Sequence, residues 1–339
     1  MPVSVHNISR RYKGMGLKWR ATELASVYND RLLTRLQEEA AAMSKKHPVI
    51  VVTGSSGAGT STVKKALEAI FYRQNIRPAL VEGDSFHRFD RAGMRQQVLQ
   101  AIESGVNFSH FGADANLFEA LQELFRSYGE NGTGKTRHYL HDDAEAKLHS
   151  DRLGASYQAG EFTDWDDIEA NTDLLFYEGL HGLVKTDHVD MTRYVDLKVG
   201  VVPVVNLEWI QKIHRDSAER GYEQDEVVDN ILRRMPDYVK YITPQFSETD
   251  INFQRVATVD TSNPFIARDI PTLDESFVVI RFRKPDIRNT DFTNLLSMIS
   301  GSFMSRRNTI VVPGGKMGMA MEIILTPIIS DLLAQRSES

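Results

Sequence analysis

The sequence predicts an α/β protein in which helices flank a mixed, largely parallel sheet. Three observations carry that prediction. Short, almost continuously apolar runs recur along the chain, as strands covered on both faces require. Segments with helical periodicity stand between them, and such alternation indicates a layered α/β architecture. A glycine-rich stretch, GSSGAGTS (54–61), joins the first apolar run to the first helical segment, a position where backbone N–H groups and a helix N-terminus can hold phosphate.

Composition supports a globular enzyme. The 339 residues are 41% hydrophobic and include 16 Phe and 11 Tyr, enough for a sizeable core in one large domain or two ordinary ones. At 25% charged residues, neither a disordered tail nor a coiled coil is indicated. The chain has no cysteine, which excludes disulfides, thiolate zinc sites and cysteine nucleophiles, and fits a cytoplasmic setting. A net charge of −6 disfavours long nucleic acid, while leaving room for a local basic cluster that binds a small phosphorylated metabolite. No apolar run approaches the roughly 20 residues of a bilayer span, so no membrane partner is expected.

Residues 1–43 differ from the rest. Seven Lys/Arg and four Asp/Glu give them a surplus of +3. Within them, 23–42 reads as an amphipathic helix with Leu24, Val27, Leu32 and Leu36 on its apolar side. The acidic residues and the lack of an apolar core argue against a targeting peptide. Residues 1–43 are expected to be a helical or disordered extension, not native if translation starts at Met43. Residues 44–339 are expected to form a single domain.

In chain order, strands are expected at 48–53, 79–83, 174–179, 195–203, 256–260, 277–282 and 309–313. Val63, Ala66, Leu67, Ile70 and Phe71 keep a helical stripe after the glycine loop. Further helices are expected at 205–220, at 225–241 with a kink or break near Pro236, and at 317–333 with an interruption at Pro327. The polar, glycine-punctuated stretch 104–172 is expected to form excursions around the active site.

The loop residues Gly54, Ser55, Ser56, Gly57, Ala58, Gly59, Thr60 and Ser61 match a phosphate-binding loop at every fixed position but one. Thr60 stands where such loops carry lysine. Ser61 is placed to put its hydroxyl on Mg²⁺. The order G-x-x-G-x-G is not the dinucleotide pattern. A ligand-free strand-to-helix turn is the competing reading, made weaker by the strand and helix on either side.

VEGDSFHRFDR (81–91) puts Glu82 and Asp84 at the C-terminal end of a strand, where ligands bind in open α/β sheets. His87, Arg88 and Arg91 follow. A carboxylate that accepts a hydroxyl proton beside cations that hold an existing phosphate suits a kinase for a phosphorylated alcohol. A salt-bridged surface loop is the alternative. On the helix at 206–222, Lys212, Arg215, Asp216 and Arg220 share one face. Cations there can neutralise transferring phosphate in place of the missing lysine, while Asp216 holds Mg²⁺; an exposed helix with i,i+4 pairs is the alternative. Glu178 ends a buried strand and can orient water or metal. Tyr139 and His141 are expected at the pocket mouth. His138-x-x-His141 lacks a third metal ligand, and Gly314-Gly315 reads as a turn.

GSSGAGTSTVK, VEGDSFHRFDR, FYEGLHG, VGVVPVVNLEWIQKIHRD, ERGY, ITPQFS, DINFQRV and DTSNPFIAR together resemble the proteobacterial type of phosphoribulokinase, from about Met43 almost to the C-terminus. That family also lacks the loop lysine. The resemblance implies a P-loop kinase fold akin to nucleoside monophosphate kinases. It implies transfer of the γ-phosphoryl group of ATP, with Mg²⁺, to the C1 hydroxyl of ribulose 5-phosphate in the Calvin cycle. By position, Asp84 matches the catalytic base, Asp216 a second essential acid and Mg²⁺ ligand, and Glu178 the strand-end acid. His87, Arg91, Lys212, Arg215 and Arg220 match residues that bind substrate or stabilise transferred charge. The resemblance further implies NADH activation and AMP inhibition, with Arg73, Arg234 and Arg281 at the effector site, and a homo-oligomer. A uridine- or pantothenate-type kinase, a homologue with another substrate, and a nucleotide-sensing regulator without catalysis are the alternatives. Clustered cations near Asp84 disfavour a neutral nucleoside, and a sensor would not need Asp84 and Asp216.

Overall fold

A computed structural model describes residues 47–55, 60–221, 223–267, 269–284 and 290–337, apart from the side chains at 60, 61, 219, 220, 336 and 337. The extension 1–43, with its expected helix, lies outside the described residues, as do Ser56–Gly59 of the glycine loop. The described part begins with β1 (Val49–Gly54), every residue of which is buried. Helix α1 (Thr60–Arg73) follows the loop, and β2 (Pro78–Glu82) leads into a 3₁₀ turn, Gly83–Phe86. Then come α2 (Arg91–Ser104), α3 (Phe118–Asn131), the short strand β3 (Lys135–Thr136), α4 (Asp143–Leu153) and β4 (Asp166–Asp167). The second half carries β5 (Leu174–Gly179), β6 (Leu197–Val201), α5 (Val205–Arg220), α6 (Gln224–Asp237), β7 (Ile251–Ala257) and β8 (Ser276–Phe282). It closes with α7 (Phe292–Met298), β9 (Phe303–Arg306), β10 (Thr309–Pro313) and α8 (Met317–Ser337).

The main sheet has the order β2-β5-β1-β6-β7-β8-β10-β9. Its first five strands pair in parallel, and the last three join antiparallel. The mixed, largely parallel sheet expected from the sequence is therefore present. Parallel strands need long crossovers, and these return as helices on the two faces. One face packs Ile50, Val52, Phe176, Val199, Phe253 and Ile280 against Leu67 and Ile70 of α1 and Met321, Ile324 and Ile328 of α8. The opposite face of β2, β5 and β1 packs Val49, Val51, Leu175 and Tyr177 against Phe118, Leu121, Phe125 and Tyr128 of α3. Alternate residues of one strand thus serve two cores, which is why the strand runs read as continuously apolar.

Four expectations need correction. The stretch 104–172 is more than excursions: α3 lies inside it and buries Phe118, Leu121, Leu124, Phe125 and Tyr128. Its stripe is helical, but polar flanks hide it. The strand expected at 256–260 lies at Ile251–Ala257, with alternating burial rather than an apolar run. Pro327 does not interrupt the last helix, which continues from Met317 to Ser337. Proline withdraws one donor there, and burial on both sides of it holds the helix together. Finally, 314–335 is long and apolar enough to cross a membrane, with a mean hydropathy of 1.6. Its apolar side chains instead fill the core beneath the sheet. At Pro236 the expected irregularity is present, as α6 gives way to a π-turn at Tyr238–Ile242.

Candidate active site

The parallel strands end together at the glycine loop and the Asp84 turn. Register aligns Glu82 of β2 with Glu178 of β5, and Val52 of β1 with the same Glu178. Thr53 Oγ1 donates to Gln245 Oε1 at 3.1 Å, and the buried Gln245 also accepts from Leu183 N and donates to Leu180 O. This amide ties the end of β1 to the segment after β5. The first turns of α1 and α5 then face each other across a narrow cleft of about 50 Å³, lined by Thr62, Val204, Leu207 and Glu208. Helix α5 therefore abuts the start of the phosphate loop's own helix.

Asp84 sits in the Gly83–Phe86 turn with its side chain 42% exposed. The turn packs directly on β5: a Cβ on Gly83 would lie 2.6 Å from Tyr177 Oη and 2.9 Å from Gly179 Cα. Only glycine allows that approach. Arg137 clamps the turn from the other side. Its Nε donates to Ser85 O at 2.9 Å and its Nη2 to His87 O at 2.6 Å, while the guanidinium lies 3.6 Å from the Phe162 ring centroid and 4.7 Å from that of Trp165.

Two imidazoles flank the Asp84 carboxylate. His87 Nε2 is 3.2 Å from Oδ1, and His141 Nε2 is 3.8 Å from Oδ2. Burial pushes the Asp84 carboxyl up, but the hydrogen bond and charge of His87, with His141 and His181, hold it below the ordinary carboxylate value. His87 is held above its ordinary value: burial opposes its charge, and Asp84 and Asn116 outweigh burial. Arg91 reaches the same corner, its Nη2 donating to His141 O at 2.7 Å. Tyr139 stacks edge-on against His141 at 4.9 Å and Phe162 at 5.3 Å.

The charged face of α5 forms a second cluster. Lys212 Nζ donates to Asp216 Oδ2, and Arg215 Nε donates to Asp216 Oδ1 at 3.0 Å. The Asp216 side chain is 7% exposed. Burial raises its carboxyl, and Lys212 and Arg215 more than reverse that. Burial also lowers Lys212, against the pull of Asp216. The two clusters meet at the half-buried His110, whose imidazole is held well below its ordinary value by desolvation and by the charges of Arg234, His87 and Lys212. One turn before Lys212, Glu208 accepts from Tyr238 Oη at 2.9 Å, and burial raises its carboxyl in spite of Ser55 and Tyr238.

The structure thus brings Asp84, His87, Arg91, Tyr139 and His141 together, and places Lys212, Arg215 and Asp216 as one ion-paired face. Glu178 stands at the strand ends beside Lys64, which pairs with Glu82 at 2.5 Å. Gly54 and Ser55 close β1, while Ser56, Gly57, Ala58 and Gly59, and the side chains of Thr60, Ser61 and Arg220, lie outside what is described. The three arginines assigned to an effector site do not share described contacts. Arg73 pairs with Glu322 at the rim of a cavity of about 540 Å³. Arg281 faces outward from the opposite side of β8, and Arg234 lies near Lys212 and His110.

Sequence reasoning missed Asn116, Arg137 and His110, which sit in segments without period or motif, and His181, which stands within FYEGLHG but was given no role. Lys64 had a signal: it lies one helical turn after Thr60. Among the described residues no group of three His, Asp or Glu could hold a metal unaided. Mg²⁺ bound through one or two carboxylates and nucleotide phosphates needs no such group, so Glu178 at the loop end fits it.

Comparison with known proteins gives a consistent result. Residues 49–262 match the family described as Phosphoribulokinase / Uridine kinase. The chain is 58% identical over 298 residues to the phosphoribulokinase of Nitrobacter vulgaris, covering 88% of this chain and 100% of that protein. It is 56% identical to the chromosomal phosphoribulokinase of Cupriavidus necator, covering 88% of this chain and 99% of that one. Among solved structures, phosphoribulokinase from Rhodobacter spheroides superposes with a TM-score of 0.77 at 54% identity, over 87% of this chain and 100% of that one.

Proposed function

The chain belongs to the phosphoribulokinase/uridine kinase family, and from that premise we infer how its site works. It is a kinase that transfers the γ-phosphoryl group of ATP to the C1 hydroxyl of ribulose 5-phosphate, giving ribulose 1,5-bisphosphate and ADP, a Calvin-cycle step. ATP is used with Mg²⁺. One observation carries the assignment of roles: Asp84 is an anion at the C-terminal edge of the parallel sheet, half-exposed between two imidazoles.

We assign Asp84 as the base that accepts the hydroxyl proton. His87, Arg91, Tyr139 and His141 border it. Arg91 and His141 offer donors to the sugar phosphate, an anion suited to guanidinium and imidazole groups, while His87, whose two nitrogens face Asn116 and Asp84, favours that anion by its charge. Backbone amides of 54–61 hold the ATP phosphates, with Ser61, Glu178 and Asp216 as the Mg²⁺ ligands. Mg²⁺ held there would offset the charge of the phosphates. Arg215, with Lys212 and Arg220, balances the charge on the transferring group, and Asp216 keeps these cations aligned. Residues 44–339 act as one kinase domain. Activation by NADH, with Arg73, Arg234 and Arg281 as its arginines, rests on family resemblance. So does a homo-oligomer, which the exposed Phe303 of the edge strand β9 and Phe277 of β8, in ring contact with it, also favour. A cytoplasmic location follows from the soluble metabolites it uses. A coupled assay of ADP release tests the reading with ribulose 5-phosphate, uridine, pantothenate and no acceptor. Turnover is expected with the first alone; equal or faster turnover with uridine or pantothenate overturns it.

A further inference from the structure

We propose that Asn116 is a positioning residue. It fixes a proton on Nδ1 of His87, so that the ring directs a second proton at Oδ1 of Asp84 and leaves Oδ2 to receive the substrate's hydroxyl proton. This rests on the assignment of Asp84 as base. Asn116 is 3% exposed, and its side chain has little choice of orientation. Its Nδ2 donates to His110 O at 2.9 Å and to Gly112 O at 2.7 Å. Two carbonyl oxygens demand the NH₂ group, so the amide oxygen must point the other way. There it lies 2.8 Å from His87 Nδ1. An amide oxygen only accepts, and Nδ1 must therefore carry hydrogen. The main chain holds the two residues in place: His87 and Asn116 form an antiparallel bridge, and Arg88 Nη2 donates to Asn116 O at 3.2 Å.

With Nδ1 protonated, Nε2 decides the state of the pair. It is 3.2 Å from Asp84 Oδ1. A bare Nε2 would set a lone pair against a carboxylate, so one proton must lie between them. Several groups face His87: Asp84 on its own turn, His110 with ring centroids 6.3 Å apart, Arg137 from the segment after β3, and His181 from the segment after β5. Burial and Arg137 oppose the ring's charge, but the bonds to Asp84 and Asn116 prevail. Oδ1 is thereby capped. His141 stands 3.8 Å from Oδ2, beyond hydrogen-bond distance, and leaves that oxygen open. In the transfer, the C1 O–H bond breaks and its proton passes to Oδ2. The electron pair forms the new bond to the γ-phosphorus, and the bridging oxygen leaves with ADP.

The test is the pH profile of kcat/KM for ribulose 5-phosphate, measured on the full chain and its Asn116→Asp, Asn116→Leu and Asp84→Asn variants. Activity should fall on the alkaline side as His87 loses its proton. Asn116→Asp keeps an acceptor against Nδ1–H but loses the NH₂ that faces the His110 and Gly112 carbonyls; where its carboxyl ionises, that limb should move up. Asn116→Leu removes the acceptor and should move it down, each by about one pH unit. A limb that stays in place in both, with only the rate reduced, overturns the proposal. If the leucine variant does not fold, the protonation of His87 in the unsubstituted chain decides. Imidazole ¹⁵N NMR at neutral pH should show both His87 nitrogens protonated, and a neutral ring overturns it. Asp84→Asn separates the two failures. Near-normal turnover there removes the base and this proposal with it; lost turnover with an unmoved limb in the Asn116 variants removes the proposal alone.

Discussion

Asp84 is held by imidazoles and Asp216 by an ammonium and a guanidinium, and that difference separates their work. A carboxylate against Lys212 and Arg215 is a poor proton acceptor but a good anchor for cations. One bordered by imidazoles keeps a lone pair for an alcohol. Asp84→Asn should lower kcat by about 10²–10⁴-fold with circular dichroism unchanged, since removal of a general base typically costs that much. A rate near wild type would refute the role. Lys212→Met should raise KM for the sugar phosphate or lower kcat, and unaltered steady-state kinetics would remove Lys212 from the site. Thr60→Lys should bring no gain if α5 already supplies the cation; a large increase in kcat would show that the loop is short of charge.

At the scale of elements, the Asp84 turn is gripped between β5 and Arg137. Gly83 lies so close to Tyr177 Oη and Gly179 Cα that a methyl group cannot enter without displacement. Gly83→Ala should therefore cost about 1–3 kcal/mol, the usual penalty of overpacking, and lower turnover as Asp84 shifts. Urea titration reads the first effect. Tyr177→Phe, which removes the nearest atom, should recover part of it in the double variant, and a double variant no better than Gly83→Ala would refute the contact. Helix α5 works differently. Its inner side carries Leu207, Ile210 and Ile213, all buried, so its charged face is aimed by packing rather than by its ion pairs.

Across the whole molecule, the histidines set a pH dependence. Burial lowers His181 to about 3 and drives His110 well below its ordinary value. Both are neutral in the fold but take up protons when unfolded near pH 6.5. A depressed histidine pKa gives stability that is complete above the unfolded value and is lost as pH falls through it. Unfolding free energy should therefore drop on going from pH 7 to pH 5.5, by up to about 1.4 kcal/mol per pH unit for each histidine. His87 opposes this weakly, since its raised value adds stability that is kept on the acid side and lost as pH rises through the folded value. Denaturant titrations at both pH values measure the slope, and a His181→Gln variant with an unchanged slope would remove His181 as its source.

The parallel core was legible because strands buried on both faces must be apolar almost throughout, and β1 and the first four residues of β5 say so in their residues. The fixed spacing of 54–61 and the helical spacing of Lys212, Arg215 and Asp216 were legible for the same reason: local geometry sets them. Strand β7 alternates and α3 hides among polar neighbours, so their burial had to come from the layers around them. Asn116, Arg137, His110 and His181 come from loops far apart in sequence. Only the packing of those loops over the strand ends decides which proton faces Asp84, because hydrogen bonds depend on distance in space and leave no period in the chain.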